Sequence, residues 1–431
     1  MSLHQFITNI LNIKPEQIQD LLTLNQSDGS MVIKIRLVDA RCICPYCNGQ
    51  THIHGYYPRK LTHSTFINRA CTILYLQRRY RCNTCQITFN EPNSFTHSHE
   101  SITHETKINI LQDLKHPEIT YTLAAKRNYV SKAMVLRIFD RHVHIARKPL
   151  PKVLSLDEHY LPDSDYESLY CCLLMDFVTG VIIDVLPDRK KSYLLYYLSH
   201  IKHETYSYET HTSELDRIQY VSIDMSESFR SVFQSYCPKA IICADSFHVL
   251  QHLTKDFNAV RLKCRRETPD PVLAYLLMKF KVVLNHNVQL DNVARYNKRL
   301  KRYINLRGIQ TVLFKHFPEL KKAYELKKEY IAFNETASFE NADRKLDALI
   351  LKFADSQIRE YDEFCTVLSN WKQEIVNSFT VVNGRRINNS HIESKNRQVQ
   401  RLLNNANGFR NFKRTRNRIL YCLNKEDTYT F

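Results

Sequence analysis

The spacing of apolar and polar residues changes several times along the chain and divides it into segments. Up to about residue 40 the pattern predicts a short helical segment and then a strand, with its alternation at Met31–Leu37. A segment marked by cysteines extends from Arg41 to about Glu91. Residues 105–146 predict three short helices, and Pro149-Leu-Pro151 interrupts the pattern after them.

From Val153 to about Val260, short apolar runs typical of buried strands alternate with helical patterns. The predicted strands are Val153–Asp157, Leu169–Val178, Val181–Leu186, Gln219–Asp224 and Ala240–Asp245, and the predicted helices lie near Lys191–Ile201 and Glu227–Tyr236. This is the element order of a ribonuclease-H-like core. Residues 261–380 show helical periodicity with almost no strand signal, and residues 381–425 predict a basic helix pair.

The composition indicates a folded protein of several domains with a polyanionic partner. The 431 residues exceed what one hydrophobic core usually holds, and 43% of them are apolar. The 61 Lys and Arg residues outnumber the 44 Asp and Glu residues and give a net charge of +17, so nucleic acid is the first candidate partner. A basic but unspecialised surface is the alternative.

Neither a signal peptide nor a membrane span is predicted. Residues Met1–Gln19 contain no apolar core, and no stretch approaches the ~18 to 20 continuous apolar residues of a spanning helix. We therefore expect a cytoplasmic protein that does not contact a membrane. The 13 cysteines are then expected to be thiols or metal ligands rather than disulfides.

Two C-x-x-C pairs, Cys44 with Cys47 and Cys82 with Cys85, predict a structural zinc site. Each pair places two thiolates on one tight turn, and two such turns complete a tetrahedral shell with no position left open for catalysis. The residues before Cys82 are predicted to form strands of a zinc ribbon. Four unrelated buried cysteines are the alternative, and Cys42 is interpreted as a bystander.

Residues 121–139 resemble a helix-turn-helix. Its inner side is predicted to be formed by Leu123, Ala124, Val135, Ile138 and Phe139. Ser131 can cap the second helix, and Lys132 and Arg137 would then face a DNA groove. Ser131, Lys132 and Arg137 are the predicted DNA-binding residues, although a helix pair of this kind also occurs purely as a packing unit.

Carboxylates at two predicted strand ends indicate magnesium chemistry. Asp157 ends the first strand of the core and Asp224 ends the fourth, and these strands are neighbours in a ribonuclease-H-like sheet. The two side chains could share a pair of Mg²⁺ ions, because carboxylate oxygens suit this ion and phosphate supplies its other ligands. Two ions can activate the attacking oxygen and stabilise the leaving one.

A third carboxylate is expected from a later helix. Residues 383–420 contain ten Lys or Arg residues and one acid, Glu393. At helical spacing, Glu393 shares a polar face with Asn396, Arg397 and Gln400. The opposite face carries Ile392, Val399, Leu402 and Leu403. An acid with basic and amide neighbours suits a phosphodiester site, whereas a simple ion-pair partner is the alternative.

At these motifs the sequence resembles the DDE transposases of bacterial insertion sequences, and with the double cysteine finger it resembles their ISL3 family. The resemblance extends from about Cys44 to Leu420. It is carried by Asp157-Glu158, Ile223-Asp224-Met225, Ala244-Asp245-Ser-Phe-His248, Asn383-Gly384, Ile392-Glu393-x-x-Asn396-Arg397 and Asn407-Gly-Phe-Arg-Asn-Phe412. One departure is Asp163-Ser-Asp165, where a basic residue is expected.

The resemblance implies that Asp157, Asp224 and Glu393 form the catalytic triad and hold two Mg²⁺ or Mn²⁺ ions. Asp245 is kept as an alternative second ligand, and His248 is expected to orient its neighbours rather than to bind metal. Asn396 and Arg397 are further expected neighbours of the site. Members of the family cut double-stranded DNA at the ends of their element and join the 3′-hydroxyls to a target, so a nucleoid-associated homo-oligomer, a dimer on DNA, is expected.

These interpretations predict a multidomain α/β protein, with a ribonuclease-H-like core and an all-helical insertion after a zinc ribbon and a helix-turn-helix. The predicted domains are an N-terminal segment (1–40), the finger (41–92), the helix-turn-helix (100–148), the first part of the core (150–260), the insertion (261–380) and the final core helix (381–425). Basic runs in the insertion, Arg261–Arg266 and Lys298–Arg302, predict contacts to DNA backbone, with a solvated helix face as the alternative.

Two other functions are compatible with the same residues. One is a sequence-specific DNA-binding protein that has lost catalysis, and the other is a nuclease or resolvase on the same fold. The intact set of three acids favours the transposase over the first alternative.

Overall fold

The computed structural model describes residues 8, 11, 13–64, 69–162, 165–284, 288–290, 293–406 and 410–431. The chain forms two compact units, Met1–Ala146 with Gln398–Phe431, and Arg147–Arg397. Residues 163–164 of the aspartate-containing departure and residues 407–409 of the C-terminal motif lie outside the described part. Among the described helices, none is both long and apolar enough to cross a membrane.

Both strands and helices are numbered in chain order. The strands are β1 (Ile18–Asn25), β2 (Met31–Leu37), β3 (Thr51–Ser64), β4 (Ala70–Cys82), β5 (Thr88–Asn90), β6 (Val153–Tyr160), β7 (Tyr170–Asp176), β8 (Ile182–Leu186), β9 (Tyr220–Ile223), β10 (Ile241–Ala244), β11 (Arg295–Asn297), β12 (Arg302–Ile304), β13 (Val381–Val382) and β14 (Arg385–Arg386). The helices are α1 (His104–Lys115), α2 (Tyr121–Arg127), α3 (Lys132–His142), α4 (Lys191–Glu204), α5 (Glu227–Tyr236), α6 (Ser246–Glu267), α7 (Pro271–Lys279), α8 (Leu306–His316), α9 (Pro318–Thr336), α10 (Phe339–Ala354), α11 (Asp362–Asn370), α12 (Lys372–Asn377), α13 (Ser390–Ala406) and α14 (Phe412–Leu423).

The first unit is built on a five-stranded sheet in the order β1-β2-β4-β3, with β5 added to β4. Thr8 is helical and Met31–Leu37 is a strand, in line with the expected helix and strand before residue 40. The sequence analysis missed a further strand, Ile18–Asn25, which pairs antiparallel with Met31–Leu37. The long hairpin of β3 and β4 places Thr51 opposite Cys82, so both cysteine pairs lie at the same end of it.

A buried ion pair joins β4 to the residue that follows β5. The Arg78 guanidinium donates to Glu91 Oε2 over 2.9 Å, and both side chains are almost fully buried. The hydroxyl of Tyr75 and the backbone N–H of Arg78 donate to Glu91 Oε1, at 2.8 and 2.9 Å. A buried pair of this kind is stable only when its remaining oxygens are also hydrogen-bonded, and here they are.

The second unit contains a five-stranded sheet in the order β10-β9-β6-β7-β8. Strands β6, β7 and β8 form an antiparallel meander, whereas β9 lies parallel to β6 and β10 lies parallel to β9. The predicted strands and helices are all present in the predicted order. One expectation is corrected: Asp157 lies inside β6 rather than at its end, because pairing with β7 continues to Tyr160 opposite Tyr170.

The helices after β10 share their hydrophobic core with the sheet. One continuous buried cluster includes Leu156 and Ile223 of the strands together with Leu320, Leu346 and Phe364 of the helices. The predicted boundary after residue 260 falls within α6, which continues to Glu267. The segment between β10 and α13 is therefore packed as part of one body with the strands.

The sequence pattern predicted an all-helical insertion, but the structure shows that the insertion also contains strands. Strands β11 and β12 form a short antiparallel hairpin in which Tyr296 lies opposite Tyr303. The side chain of Asn297 produces the turn, because its Oδ1 accepts the N–H groups of Arg299 and Leu300 at 3.0 and 3.1 Å. A turn that is fixed by the hydrogen bonds of one side chain does not change the spacing of apolar residues along the chain. The sequence pattern therefore predicted helix through this hairpin.

Candidate active site

Three aspartates lie side by side where parallel strands end. The last paired residues of β6 and β9 are Ser155 and Ser222, and Asp157 and Asp224 each follow two residues later. Ala244 of β10 pairs with Ile223 of β9, so Asp245 follows beside Asp224. All three acids therefore lie along one edge of the sheet, and Asp157 and Asp245 are only 7% and 1% exposed.

Asn389 joins this edge to the helix that carries Glu393. Its side-chain amide donates to the Leu156 carbonyl at 2.9 Å, and its backbone N–H donates to Asp245 Oδ1 at 3.0 Å. Its own carbonyl accepts the N–H of Glu393 in the first turn of α13, at 2.9 Å. Asn389 is fully buried, so these contacts hold β6, Asp245 and Glu393 in one arrangement.

The other predicted neighbours are also brought to the acids. Asn396 Nδ2 donates to Asp157 Oδ2 at 2.6 Å, and the Glu158 N–H donates to Asp157 Oδ1 at 2.8 Å. His248 Nε2 lies 3.9 Å from Asp245 Oδ2. The positive charge of Arg397 acts on Glu393 and favours its ionised form. The structure thus places all four predicted neighbours, Asp245, His248, Asn396 and Arg397, around the three acids.

Burial and mutual repulsion make these carboxyl groups hard to ionise. Burial is the main cause that raises the pKa of Asp157 to about 6, and the charge of Asp245 adds to the shift. The pKa of Asp224 is likewise raised to about 6, mainly by burial and in part by the charges of Glu158 and Asp157. Burial is also the main cause that raises the pKa of Asp245 and of Glu393.

Several buried oxygens of this cluster have no hydrogen-bond partner among the described residues. They are Asp224 Oδ1, Asp245 Oδ2, Glu393 Oε1 and Asn396 Oδ1. Carboxylate and amide oxygens are the ligands that Mg²⁺ uses, and buried acceptors without donors are costly unless a cation occupies the space between them. The residues therefore fit a divalent cation.

The carboxylates are spaced more widely than the cysteines. In the part of the chain that the structure describes, Cys44, Cys47, Cys82 and Cys85 are the one group of three or more potential ligands whose ligand atoms all lie within 4.8 Å of one another. The acids thus do not converge on a single point to the same degree, and a bound ion would need additional ligands from water or phosphate.

The four cysteines form a compact centre in the first unit. The sulfur atoms of Cys44 and Cys85 are 3.6 Å apart, and those of Cys47 and Cys82 are 3.4 Å apart. The N–H groups of Cys85 and Thr84 donate to Cys82 Sγ and lower the pKa of this thiol to about 6. Four thiolates on two turns suit a closed tetrahedral zinc site, and Cys42 lies outside the group.

The helix pair α2–α3 has the predicted inner side with one exception. Ser131 Oγ accepts the N–H of Met134 and caps α3, whereas Lys132 and Arg137 are exposed. Val135, Ile138, Phe139 and Ala124 are buried as predicted. The assignment of Leu123 to the inner side is wrong, because its side chain is 40% exposed. It directly precedes the buried Ala124–Ala125 pair and so falls on the outer side of α2.

Comparison with known families decides the identity of the chain. The model of the ISL3 family of DDE transposases, described as "Transposase", matches residues 154–419, which include Asp157, Asp224, Asp245 and Glu393. The chain belongs to this transposase family. No curated protein matches the sequence.

Two features of the transposase site were missed by the sequence analysis. Asn389 carried a signal, since it stands directly before a helix beside Asn388, a place where a polar side chain usually makes local hydrogen bonds. Arg189 carried none. It forms an ion pair with Glu158 and lies over the ring of Tyr170 at 4.1 Å, so a cation does lie beside the first acidic motif.

We predict that changing Cys82 to Ser removes zinc from the transposase, because three thiolates and a hydroxyl hold the ion far more weakly than four thiolates. The wild-type chain should contain one zinc ion per chain by atomic absorption of purified protein. The matched control is Cys42→Ser, which should retain the metal. Equal zinc content in the Cys82 and Cys42 variants would contradict the assignment.

We predict that Asp224→Asn stabilises the transposase in buffer without Mg²⁺. The raised pKa of Asp224 means that the folded state binds more protons than the unfolded state between about pH 4 and 6, so stability falls as the pH rises through this window. At pH 7 the amide should raise the free energy of unfolding by on the order of 2 kcal/mol, and at pH 4 by little.

Denaturant unfolding at the two pH values measures this difference. The control is Glu325→Gln, whose exposed carboxylate pairs with Lys321 on the same helix, so that the change should alter stability little at either pH. A destabilised Asp224→Asn variant at pH 7 would mean that the carboxylate is satisfied without a cation.

Proposed function

We propose that this transposase binds the ends of its insertion sequence, cleaves the DNA there and joins the 3′-hydroxyl ends to target DNA by Mg²⁺-dependent phosphoryl transfer. The observation that carries the proposal is the proximity of Asp157 to Asp224 on two parallel strands and to Glu393 on a distant helix. Asp224 and Glu393 each have a buried oxygen without a hydrogen-bond partner among the described residues. These three residues are the proposed catalytic and Mg²⁺-binding set.

The proposal gives different roles to Mg²⁺, Asn396 and Asp245. Bound Mg²⁺ would supply charge to activate the attacking oxygen and to stabilise the leaving oxygen. Asn396 donates to Asp157 and fixes the orientation of its carboxylate. The Asn389 N–H occupies one oxygen of Asp245, which favours Asp224 as the second ligand, while Oδ2 of Asp245, which accepts no hydrogen bond, keeps it as the alternative.

We further infer a ribonuclease-H-like core for the strands β6 to β10. The meander of three antiparallel strands, extended by two parallel strands that each follow a helix, agrees with this interpretation. The α2–α3 pair is proposed as a helix-turn-helix that reads DNA, and the cysteine centre as a structural zinc ribbon. The six-domain division of the sequence is retained as a proposal, as are the dimer on DNA and the nucleoid location.

The basic runs of the insertion differ in what they offer to DNA. Arg261 is buried and donates to the Leu277 carbonyl at 2.8 Å, and Lys263 pairs with Glu319 at 2.9 Å. Arg265 and Arg266 are exposed, and so are the cations of the β11–β12 hairpin. Backbone contacts by the insertion are therefore proposed for the exposed cations alone.

The triad proposal predicts that Asp157→Asn, Asp224→Asn and Glu393→Gln each abolish cutting and joining while DNA binding remains. Residues that act as one unit fail together, so double variants should be no worse than single ones. The assay uses DNA that carries both element ends with Mg²⁺, and electrophoresis reports free 3′-hydroxyls and joined products. Asp245→Asn is the internal control for the second position.

Three outcomes would overturn this proposal in whole or in part. Near-normal joining by Glu393→Gln would reduce α13 to a DNA-binding helix. Loss of chemistry in Asp245→Asn together with activity in Asp224→Asn would move the second ligand to Asp245. Binding of element ends without cleavage by the wild-type chain would favour the inactive DNA-binding alternative.

The helix-turn-helix proposal predicts that Lys132→Gln with Arg137→Gln weakens binding of the full chain to element ends. Removing one cation that neutralises a phosphate should reduce the slope of log affinity against log salt by about 1, so the double variant should reduce it by about 2. Fluorescence anisotropy across a salt series measures this slope. Lys34→Gln with Arg36→Gln, two cations on β2 of the same unit, is the control and should leave the slope unchanged.

A further inference from the structure

The β11–β12 hairpin presents its two tyrosine rings to solvent. Tyr296 and Tyr303 lie opposite each other, 54% and 73% exposed, with their ring centroids 5.4 Å apart. The hydrophobic core of the unit is contacted instead by Leu300 and Ile304. A hairpin with one packed face normally places polar residues on its outer face, so an exposed ring pair indicates a partner.

The hairpin that carries this ring pair is strongly basic. It contains Arg295, Lys298, Arg299, Lys301 and Arg302 and no acid within residues 295–304. Lys298, Lys301 and Arg302 are exposed. A dense set of cations selects a polyanion, and the paired rings select a partner with flat unsaturated groups.

The backbone at the tip of the hairpin is strained, as is common at functional sites. Lys301 has a φ of +50°, a left-handed conformation that glycine adopts at much lower cost than a lysine does. Arg299 is held over the ring of Tyr275 in α7 at 5.6 Å. The turn is also fixed by Asn297, which is 9% exposed. The hairpin thus carries two exposed rings and several cations on a turn that hydrogen bonds hold in place.

We infer that the β11–β12 hairpin binds DNA at unpaired bases, with Tyr296 and Tyr303 stacking on the bases and the flanking cations contacting phosphates. Stacking on aromatic rings requires bases that are out of the duplex, because paired bases expose only their edges. The inference deepens the proposed function by assigning the hairpin to single-stranded DNA. It rests on the proposal that this transposase acts on DNA, but it does not require that Asp157, Asp224 and Glu393 are the catalytic residues.

The test compares two probes in buffer without Mg²⁺, so that no cleavage occurs. One is a blunt duplex of arbitrary sequence, and the other is the same duplex with a short oligothymidine overhang. The full-length chain should prefer the overhang probe. The Tyr296→Ala, Tyr303→Ala double variant should lose about tenfold in affinity for the overhang probe and little for the blunt duplex. The Tyr296→Phe, Tyr303→Phe variant should retain the preference, because its rings still stack.

Controls separate stacking from charge and from misfolding. Tyr208→Ala removes a ring of the same unit that is 84% exposed and should change neither affinity. Lys298→Gln with Lys301→Gln should weaken both probes and reduce the salt dependence. Because both probes are compared without Mg²⁺ and without cleavage, failure of the catalytic proposal would not change the interpretation of this test.

Three results would overturn the inference. They are no preference of the wild-type chain for the overhang, unchanged affinity of the double alanine variant with native thermal unfolding, and an equal loss for both probes. The last result would assign the rings to duplex contacts or to hairpin stability rather than to unpaired bases.

Discussion

The burial of several carboxyl groups beside one another is the constraint on which the candidate site depends. Burial is the main cause that raises the pKa of Asp157, Asp224, Asp245 and Glu393, and neighbouring acidic charges add to the shift for Asp157, Asp224 and Glu393. The hydrogen-bond donors that hold them, Asn389 and Asn396, are neutral, so they orient the acids without cancelling their charge. Such a cluster stores unfavourable electrostatic energy that a divalent cation can relieve.

Maintaining that arrangement requires a rigid frame, which the insertion helps to provide. The sheet and the inserted helices share one hydrophobic cluster, so the strands are not an independent core. Arg386, just before α13, donates to the Asn334 carbonyl of α9 at 2.6 Å and to the Ser378 carbonyl at 3.1 Å. The position of Glu393 therefore depends on helices far from it in sequence, and the insertion has a structural role beside any contact with DNA.

Sequence spacing was sufficient for the elements whose signal is local. Buried strands from Val153 to Asp245 show as apolar runs, and the two C-x-x-C pairs show as a group that could hold a metal, because neighbouring residues in the chain determine both. Asp157, Asp224 and Glu393 were candidates because predicted strands and a polar helix face are visible in the pattern, although Asp157 lies inside β6 rather than at its end. Leu123 and the β11–β12 hairpin were misread, because one exposed apolar residue and one Asn-fixed turn do not alter the periodicity.

The sequence by itself therefore determined the order of elements in the sheet of the second unit, the grouping of the four cysteines and the family resemblance. Only the tertiary structure decided which groups meet. The hydrogen bonds of Asn389 with Leu156 and Asp245 join residues more than a hundred positions apart in the sequence. The ion pair of Arg189 with Glu158 places a cation beside the first acidic motif, and no local pattern in the sequence predicted this contact. Such contacts depend on the packing of the sheet and the inserted helices on one core, and packing partners are not encoded in local periodicity.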